Sequence, residues 1–295
     1  MRVLVLGVTG MLGSVAFRLL QAEPRLSVFG TARSSEARGF FDEEARSRIS
    51  TGVDAENFDS LVSVLDRLRP DIVINCIGVV KQLAAAKDPL IALPLNSLLP
   101  HRLARLCGLV GARLIHIGTD CVFSGHKGNY RESDFADADD LYGRSKLLGE
   151  VDYPHAITLR TSIIGRELTT QNGLVEWFLQ AGRLVRGYTK AIYTGFTTDE
   201  FTRVIARFVL PHPELHGVYQ VSSDPISKYD LLKLIKSVYG LDTRIEPDDS
   251  VAIDRSLDSS RFRAATGYAP PSWAEMIRKM RALEAGEVRL AVNVQ

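Results

Sequence analysis

Along the first 165 residues, short apolar runs alternate with stretches whose apolar residues recur at helical spacing. The runs fall at residues 2–6, 27–32, 50–53, 71–75, 113–118 and 156–160. Unbroken apolar runs of this length predict strands buried on both faces of a parallel sheet. Residues 14–21 and 58–68 carry the helical spacing, and residues 89–107 predict a long helix broken or bent near Pro94 and Pro100. Strand and helix in alternation imply an α/β architecture: a doubly wound parallel (Rossmann) sheet with helices on both faces. Ligands of such sheets bind beyond the carboxyl ends of the strands, so the turns after residues 6, 75, 118 and 160 mark the expected site.

Past Gly165 the texture changes. Helical patterns at 173–180, 198–209, 228–239, 259–266 and 273–285 surround a single clear strand at 217–221. No second glycine turn occurs there. The expected division is a dinucleotide-binding domain over 1–165 and a smaller α/β substrate-binding region over 166–285, some of whose elements can return to the first sheet. Residues 286–295 read as a tail.

Candidate chemistry begins at the first turn. Gly7, Gly10 and Gly13 follow the first strand and open a helix, which is the context a dinucleotide-binding turn requires. Glycines there let the backbone approach a pyrophosphate, and the helix N-terminus faces its negative charge. The second strand ends in Thr31-Ala-Arg33-Ser34, with no acidic residue to accept hydrogen bonds from ribose hydroxyls. Arg33 offers instead a planar donor fork suited to a 2′-phosphate, which favours NADPH, with NADH as the alternative.

Tyr142-Gly-Arg-Ser-Lys146 opens another helix, where positions four apart share a face. A cation beside a phenol favours its ionised form, so the pair predicts a lowered Tyr142 pKa and a usable proton donor and acceptor. An exposed Tyr–Lys pair of no consequence is the plainer reading of that spacing alone.

Composition narrows the classes. With 36 basic and 35 acidic residues the net charge is +1, which gives no reason to expect nucleic acid or an anionic membrane as partner. Cys76, Cys107 and Cys121 show neither disulfide nor metal-ligand spacing, so no metal is expected and a reducing, cytoplasmic setting is. The apolar run at the N-terminus is too short for a signal peptide or a membrane span.

Taken together, the glycine spacing, Gly118-Thr-Asp-Cys-Val-Phe-Ser-Gly125, Tyr142-Gly-Arg-Ser-Lys146 and Leu159-Arg-Thr-Ser162 resemble the extended short-chain dehydrogenases/reductases. The likeness spans about residues 1–285 and is strongest to the dTDP-4-dehydrorhamnose reductase branch. The resemblance implies a nucleotide-sugar 4-ketoreductase. In it Tyr142 is the acid, Lys146 binds the nicotinamide ribose and tunes Tyr142, and Thr119 hydrogen-bonds the substrate carbonyl. It further implies cofactor contacts from Gly7, Thr9, Gly10, Met11, Leu12, Gly13, Arg33, Asp54, Asn75, Cys76, Gly78, Tyr142, Lys146, Thr161 and Ser162. Substrate contacts are implied for Val79, Asp120, Val122, Phe123 and Arg255, and a homodimer is the oligomer to test.

The chain departs from that branch at Cys121 and Ser124, where tyrosine and aspartate are usual, and at Ile163, where an aromatic is common. Three rivals remain. A 4,6-dehydratase places an Asp-Glu pair after the threonine, whereas here the pair is Asp120-Cys121. An NAD-dependent epimerase shows the acidic strand end that Arg33 replaces. A non-catalytic nucleotide-binding subunit generally lacks the tyrosine or the lysine, and both are present.

Overall fold

The computed structural model describes residues 1–285. The expected tail at 286–295 lies outside the described residues. Twelve strands are found among the described residues: β1 (Arg2–Leu6), β2 (Ser27–Thr31), β3 (Ile49–Ser50), β4 (Ile72–Asn75), β5 (Arg113–Ile117), β6 (Ala156–Arg160), β7 (Ile163–Ile164), β8 (Leu184–Tyr193), β9 (Phe196–Thr197), β10 (Gly217–Gln220), β11 (Ile226–Ser227) and β12 (Arg244–Asp254).

Seven of them form one parallel sheet in the order β10-β6-β5-β4-β1-β2-β3. Successive residues of its strands feed opposite apolar layers. Val3 and Val5 point into one buried cluster, Leu4 and Leu6 into the other, and all four are fully buried. Burial on both faces is why β1 reads as an unbroken apolar run. Each such side chain contributes about 1.5–3 kcal/mol.

The chain builds β1, β2 and β3 outward in one direction, then returns to lay β4 on the other side of β1. That reversal opens a crevice at the carboxyl ends of β1 and β4. The helix Met11–Gln21 packs Leu12, Ala16, Phe17 and Leu20 against one layer, so its N-terminus is held over the crevice.

The long helix expected over 89–107 is three pieces. Pro89–Ala92 and Leu99–Val110 are α-helical, and Leu93–Leu98 between them is a π-helical turn. Pro94 has no N–H to give, so the ladder between the pieces is irregular there.

Past residue 165 the chain does two things. It sends β10 back to the main sheet beside β6, and the helix Thr198–Val204 packs on Met11–Gln21. It also builds a second sheet, β11-β8-β12, whose two long strands run parallel. The strands β8 and β12 were not anticipated. Leu184–Tyr193 alternates only weakly, with Gly187 and Lys190 inside it, and Arg244–Asp254 contains Pro247 and consecutive aspartates, which read as a turn. A register shift between Asp248 and Ala252 absorbs that irregular stretch.

Candidate active site

A cavity of about 510 Å³ opens at the crevice, between the main sheet and the second one. Its walls come from the segments that follow β1, β4, β5 and β6, from the helix Leu141–Leu148, and from the ends of β8 and β12.

The glycine turn forms the floor. Gly7 has φ +82°, a left-handed conformation that favours glycine, and a β-carbon on Gly13 would lie 2.1 Å from the Gly7 carbonyl oxygen. Helix and turn therefore touch, and Thr9, Gly10, Met11 and Leu12 are left facing the cavity. A backbone cradle of this kind, closed by a helix N-terminus and lined without side-chain bulk, fits a pyrophosphate. Gly7 and Gly13 shape the cradle from behind and do not line the cavity.

At the end of β2, Arg33 is exposed and makes no side-chain ion pair or hydrogen bond among the described residues. Asp54, after β3, turns its carboxylate onto the Glu56 backbone N–H (3.1 Å). Both stand apart from the main cavity, near the edge where the second and third strands end.

After β4, Asn75 is buried, and its side-chain oxygen accepts from Ile77 N–H at 3.1 Å. Cys76, Gly78 and Val79 line the cavity next to it. Burial pushes the Cys76 thiol up to about 12, so it is neutral. One buried residue that the sequence did not single out holds this loop. Asn96, inside the π-helical turn, accepts from Val79 N–H (2.9 Å) and donates to the Ser145 hydroxyl (3.2 Å). It ties the loop after β4 to the helix that carries Tyr142 and Lys146. A polar Asn96 set among leucines between Pro94 and Pro100 was the available signal.

The helix Leu141–Leu148 starts at Asp140, whose side chain accepts from Gly143 N–H (2.7 Å) and pairs with Lys81 at 2.5 Å. A β-carbon on Gly143 would meet the Cys121 carbonyl oxygen at 2.3 Å, so this glycine lets the helix sit directly on the loop after β5. Beyond its far end, Glu150 forms a two-pronged buried ion pair with Arg160 (2.6 and 2.7 Å).

Thr119, Tyr142 and Lys146 all reach the same cavity. The Thr119 hydroxyl accepts from Cys121 N–H (3.1 Å) and donates to Asp120 (3.3 Å), which fixes its direction. The Lys146 ammonium donates to the Ile117 carbonyl at 2.7 Å, and burial lowers its pKa to about 8, against the pull of Glu150 and Cys76.

The expected lowering of the Tyr142 pKa is not found. Burial raises it, the Cys121, Asp120 and Asp140 side chains add to the rise, and only the Thr119 hydroxyl favours the phenolate. Desolvation of the phenolate is the largest cause and outweighs what the Thr119 hydroxyl returns. Tyr142 is therefore a protonated phenol at neutral pH.

Thr161, Ser162 and Ile163 line the cavity after β6, and Asp120 and Arg255 line it as well. Val122 and Phe123 are not brought to it. Both are fully buried, and Phe123 stacks on Tyr130 (ring centroids 4.1 Å apart) in a separate apolar cluster behind the wall. Their backbone runs toward the site while their side chains turn away. Of the departures noted in the sequence, Cys121 lines the cavity with a neutral thiol pushed up to about 12 by burial, and Ser124 is tied to Asp137 instead.

The second sheet supplies what the sequence did not assign. Ala191, Ile192 and Tyr193 from β8, Ile253 from β12, and Lys228 complete the wall. Among the described residues, no helix is long and apolar enough to cross a membrane.

A nucleotide-binding α/β fold whose strand ends gather a threonine, a tyrosine and a lysine one helical turn on is that of the short-chain dehydrogenases/reductases. Within that class, the family described as RmlD substrate binding domain matches residues 1–283, and the chain belongs to it.

The chain is 30% identical over 302 residues to a probable low-salt glycan biosynthesis reductase, Agl14, of Haloferax volcanii, covering 95% of this chain and 96% of that one. It is 30% identical over 174 residues to a dTDP-4-dehydrorhamnose reductase of Mycobacterium tuberculosis. That match takes in 56% of this chain and spans about half, 48%, of the relative. Among solved structures, dTDP-4-dehydrorhamnose reductase from Bacillus anthracis in complex with NADP superposes with a TM-score of 0.77. At 24% identity over 96% of this chain and 99% of that one, it is a likeness of fold.

Proposed function

We propose that this chain is an NADPH-dependent reductase acting on the 4-keto group of a nucleotide-linked deoxysugar. The observation that carries the reading is the convergence of the glycine cradle, Thr119, Tyr142 and Lys146 on one cavity at the strand ends. Full-length similarity to a reductase of glycan biosynthesis supports the choice of reaction.

The cradle and helix N-terminus would hold the cofactor's pyrophosphate. Arg33 would take a 2′-phosphate, and the turn from Asn75 to Gly78 with Thr161 and Ser162 would line the nicotinamide half. A bound reduced nicotinamide supplies the hydride. The protein supplies direction and a proton.

The substrate carbonyl oxygen lies between the Thr119 and Tyr142 hydroxyls as its charge develops. The Thr119 oxygen is held by Cys121 N–H, and its single proton, given to Asp120 in the unliganded site, would turn to the carbonyl oxygen as charge develops there. Tyr142 donates its proton to the nascent alkoxide, and its raised pKa ensures that the proton is present to give. The phenolate left behind is unstable in a buried site, and the Lys146 ammonium one turn along the helix is the positive charge available to it. With both cavity thiols neutral, a thiolate route is disfavoured. The reading also places the chain in the cytoplasm, where its free cysteines stay reduced.

The test is a panel of nucleotide 4-keto sugars supplied with NADPH and followed at the nicotinamide absorbance band. Consumption with at least one sugar is expected. No consumption across the panel, or turnover by the purified protein without added NADPH, overturns the reading.

A further inference from the structure

Lys228 occupies a costly position. It is the first residue of the helix Lys228–Tyr239, where the helix dipole already presents positive charge. Its side chain is half-buried on the cavity wall, and no carboxylate pairs with it among the described residues. Burial lowers its pKa, and Arg255 nearby lowers it further, while Asp120 and Cys121 work in the opposite direction. Its ammonium lies over the face of Tyr193, 4.1 Å from the ring centroid.

The geometry is built in, since Ile226 and Ser227 pair with Tyr193 and Ile192. Ser227 then caps the helix by accepting from Asp230 N–H (3.0 Å). Strand pairing on one side and a cap on the other set the Lys228 backbone beside Tyr193, and its side chain lies over that ring.

Arg255 faces the same space from β12's end. Its Nε donates to the Phe123 carbonyl (2.7 Å), and it too lacks a carboxylate partner among the described residues. Lys81, another cation lining the cavity, is paired with Asp140, and Lys146 donates to the Ile117 carbonyl. Two unpaired cations therefore stand on the substrate side of the cleft, opposed by one buried carboxylate, Asp120. A cation that breaks the ordinary rules of helix charge and burial, with no ion-pair partner among the described residues, is the kind of local exception that functional positions show.

We propose that Lys228 is a substrate-specificity residue which, together with Arg255, receives the phosphoryl oxygens of a nucleoside-diphosphate-linked substrate. The inference rests on the nucleotide-sugar reading above and adds to it the residue that reads the diphosphate. Two positive charges match the two negative charges of a diphosphate diester. The flat face of Tyr193 holds the ammonium in place without neutralising it.

The test uses the full chain loaded with NADP and titrated calorimetrically with dTDP, UDP, GDP and ADP, with the matching nucleosides as controls. Lys228→Met is expected to weaken the tightest nucleoside diphosphate by tenfold or more and to leave nucleoside binding unchanged. Lys228→Arg should restore affinity to within threefold, and NADP binding should stay unchanged in both variants. Lys228→Gln replaces the methionine variant if the latter fails to bind NADP.

Equal diphosphate affinity in wild type and variant, failure of the arginine to rescue, or no binding of any nucleoside diphosphate by the wild type would overturn the proposal. NADPH oxidation separates this from the reductase reading. A sugar that is reduced with the same KM by wild type and Lys228→Met sinks the inference and keeps the reductase. Lys228-dependent diphosphate binding with no sugar reduced keeps the inference and sinks the reductase.

Discussion

On the proposed reading, the cofactor half of the cleft is made by segments that each follow a strand of one sheet: residues 9–12 after β1, 75–79 after β4, and 161–164 after β6. The half proposed for the substrate is lined by residues 191–193, Lys228, Ile253 and Arg255, which come from three separate elements of a second sheet and its helix. In the first half the chemistry is carried by backbone: a glycine turn, a helix N-terminus and short hydroxyl side chains. In the second it is carried by long cations and an aromatic ring whose meeting depends on tertiary pairing. A ligand that every member of a fold class binds can be held by local geometry. A ligand that differs between members is held by side chains that the fold brings together from afar.

Thr119 stands on the substrate side of the seam, and its removal should give the largest asymmetry. Thr119→Val is expected to lower kcat by about 10²–10³-fold, the usual cost of one oxyanion donor. NADPH affinity, measured by fluorescence titration, should be unchanged; an equal loss in both quantities would mean that the two halves are not separable.

Arg33→Ala tests the other side. The KM for NADPH should rise about tenfold, the worth of one exposed charge-assisted contact to phosphate, while the KM values for NADH and for the sugar stay put. Combining Arg33→Ala with Thr119→Val should give additive effects, because the two residues act on different ligands with no shared partner. Strong non-additivity would break the comparison.

A smaller effect follows from pH. The Lys146 ammonium has its pKa lowered to about 8, so it is charged below that pH and loses its proton as the pH rises through it. Cofactor affinity should therefore fall by a few-fold between pH 7 and pH 9. Lys146→Arg, which stays charged, should flatten the profile. A flat profile in the wild-type protein would contradict the burial argument for Lys146.

Much of the first half was legible in the sequence, because apolar runs and glycine spacing report local structure directly. Arg2–Leu6 and the turn after it needed no tertiary information. The second half was not, for identifiable reasons. Pro247 and the neighbouring aspartates disguise a strand that survives by shifting register. Lys228 looks like an ordinary helix-starting lysine until β11 is seen to pair with β8 and carry it over Tyr193.

Val122 and Phe123 lie in a motif whose backbone approaches the site, but sequence spacing says nothing about which way a side chain turns, and both turn into the core. The pKa of Tyr142 went the other way from expectation because the phenol is buried, and the one-turn spacing of Tyr142 and Lys146 carries no sign of that desolvation. One N–H of the Lys146 ammonium goes to the Ile117 carbonyl.

The central claim is that a protonated phenol, held where the two halves meet, delivers the proton that completes reduction. Single-turnover reduction by Tyr142→Phe, mixed with saturating NADPH and the best sugar of the panel, measures this directly. A rate lower by about 10²–10⁴-fold with unaltered NADPH affinity is the predicted result. A rate within threefold of the wild type would contradict the account.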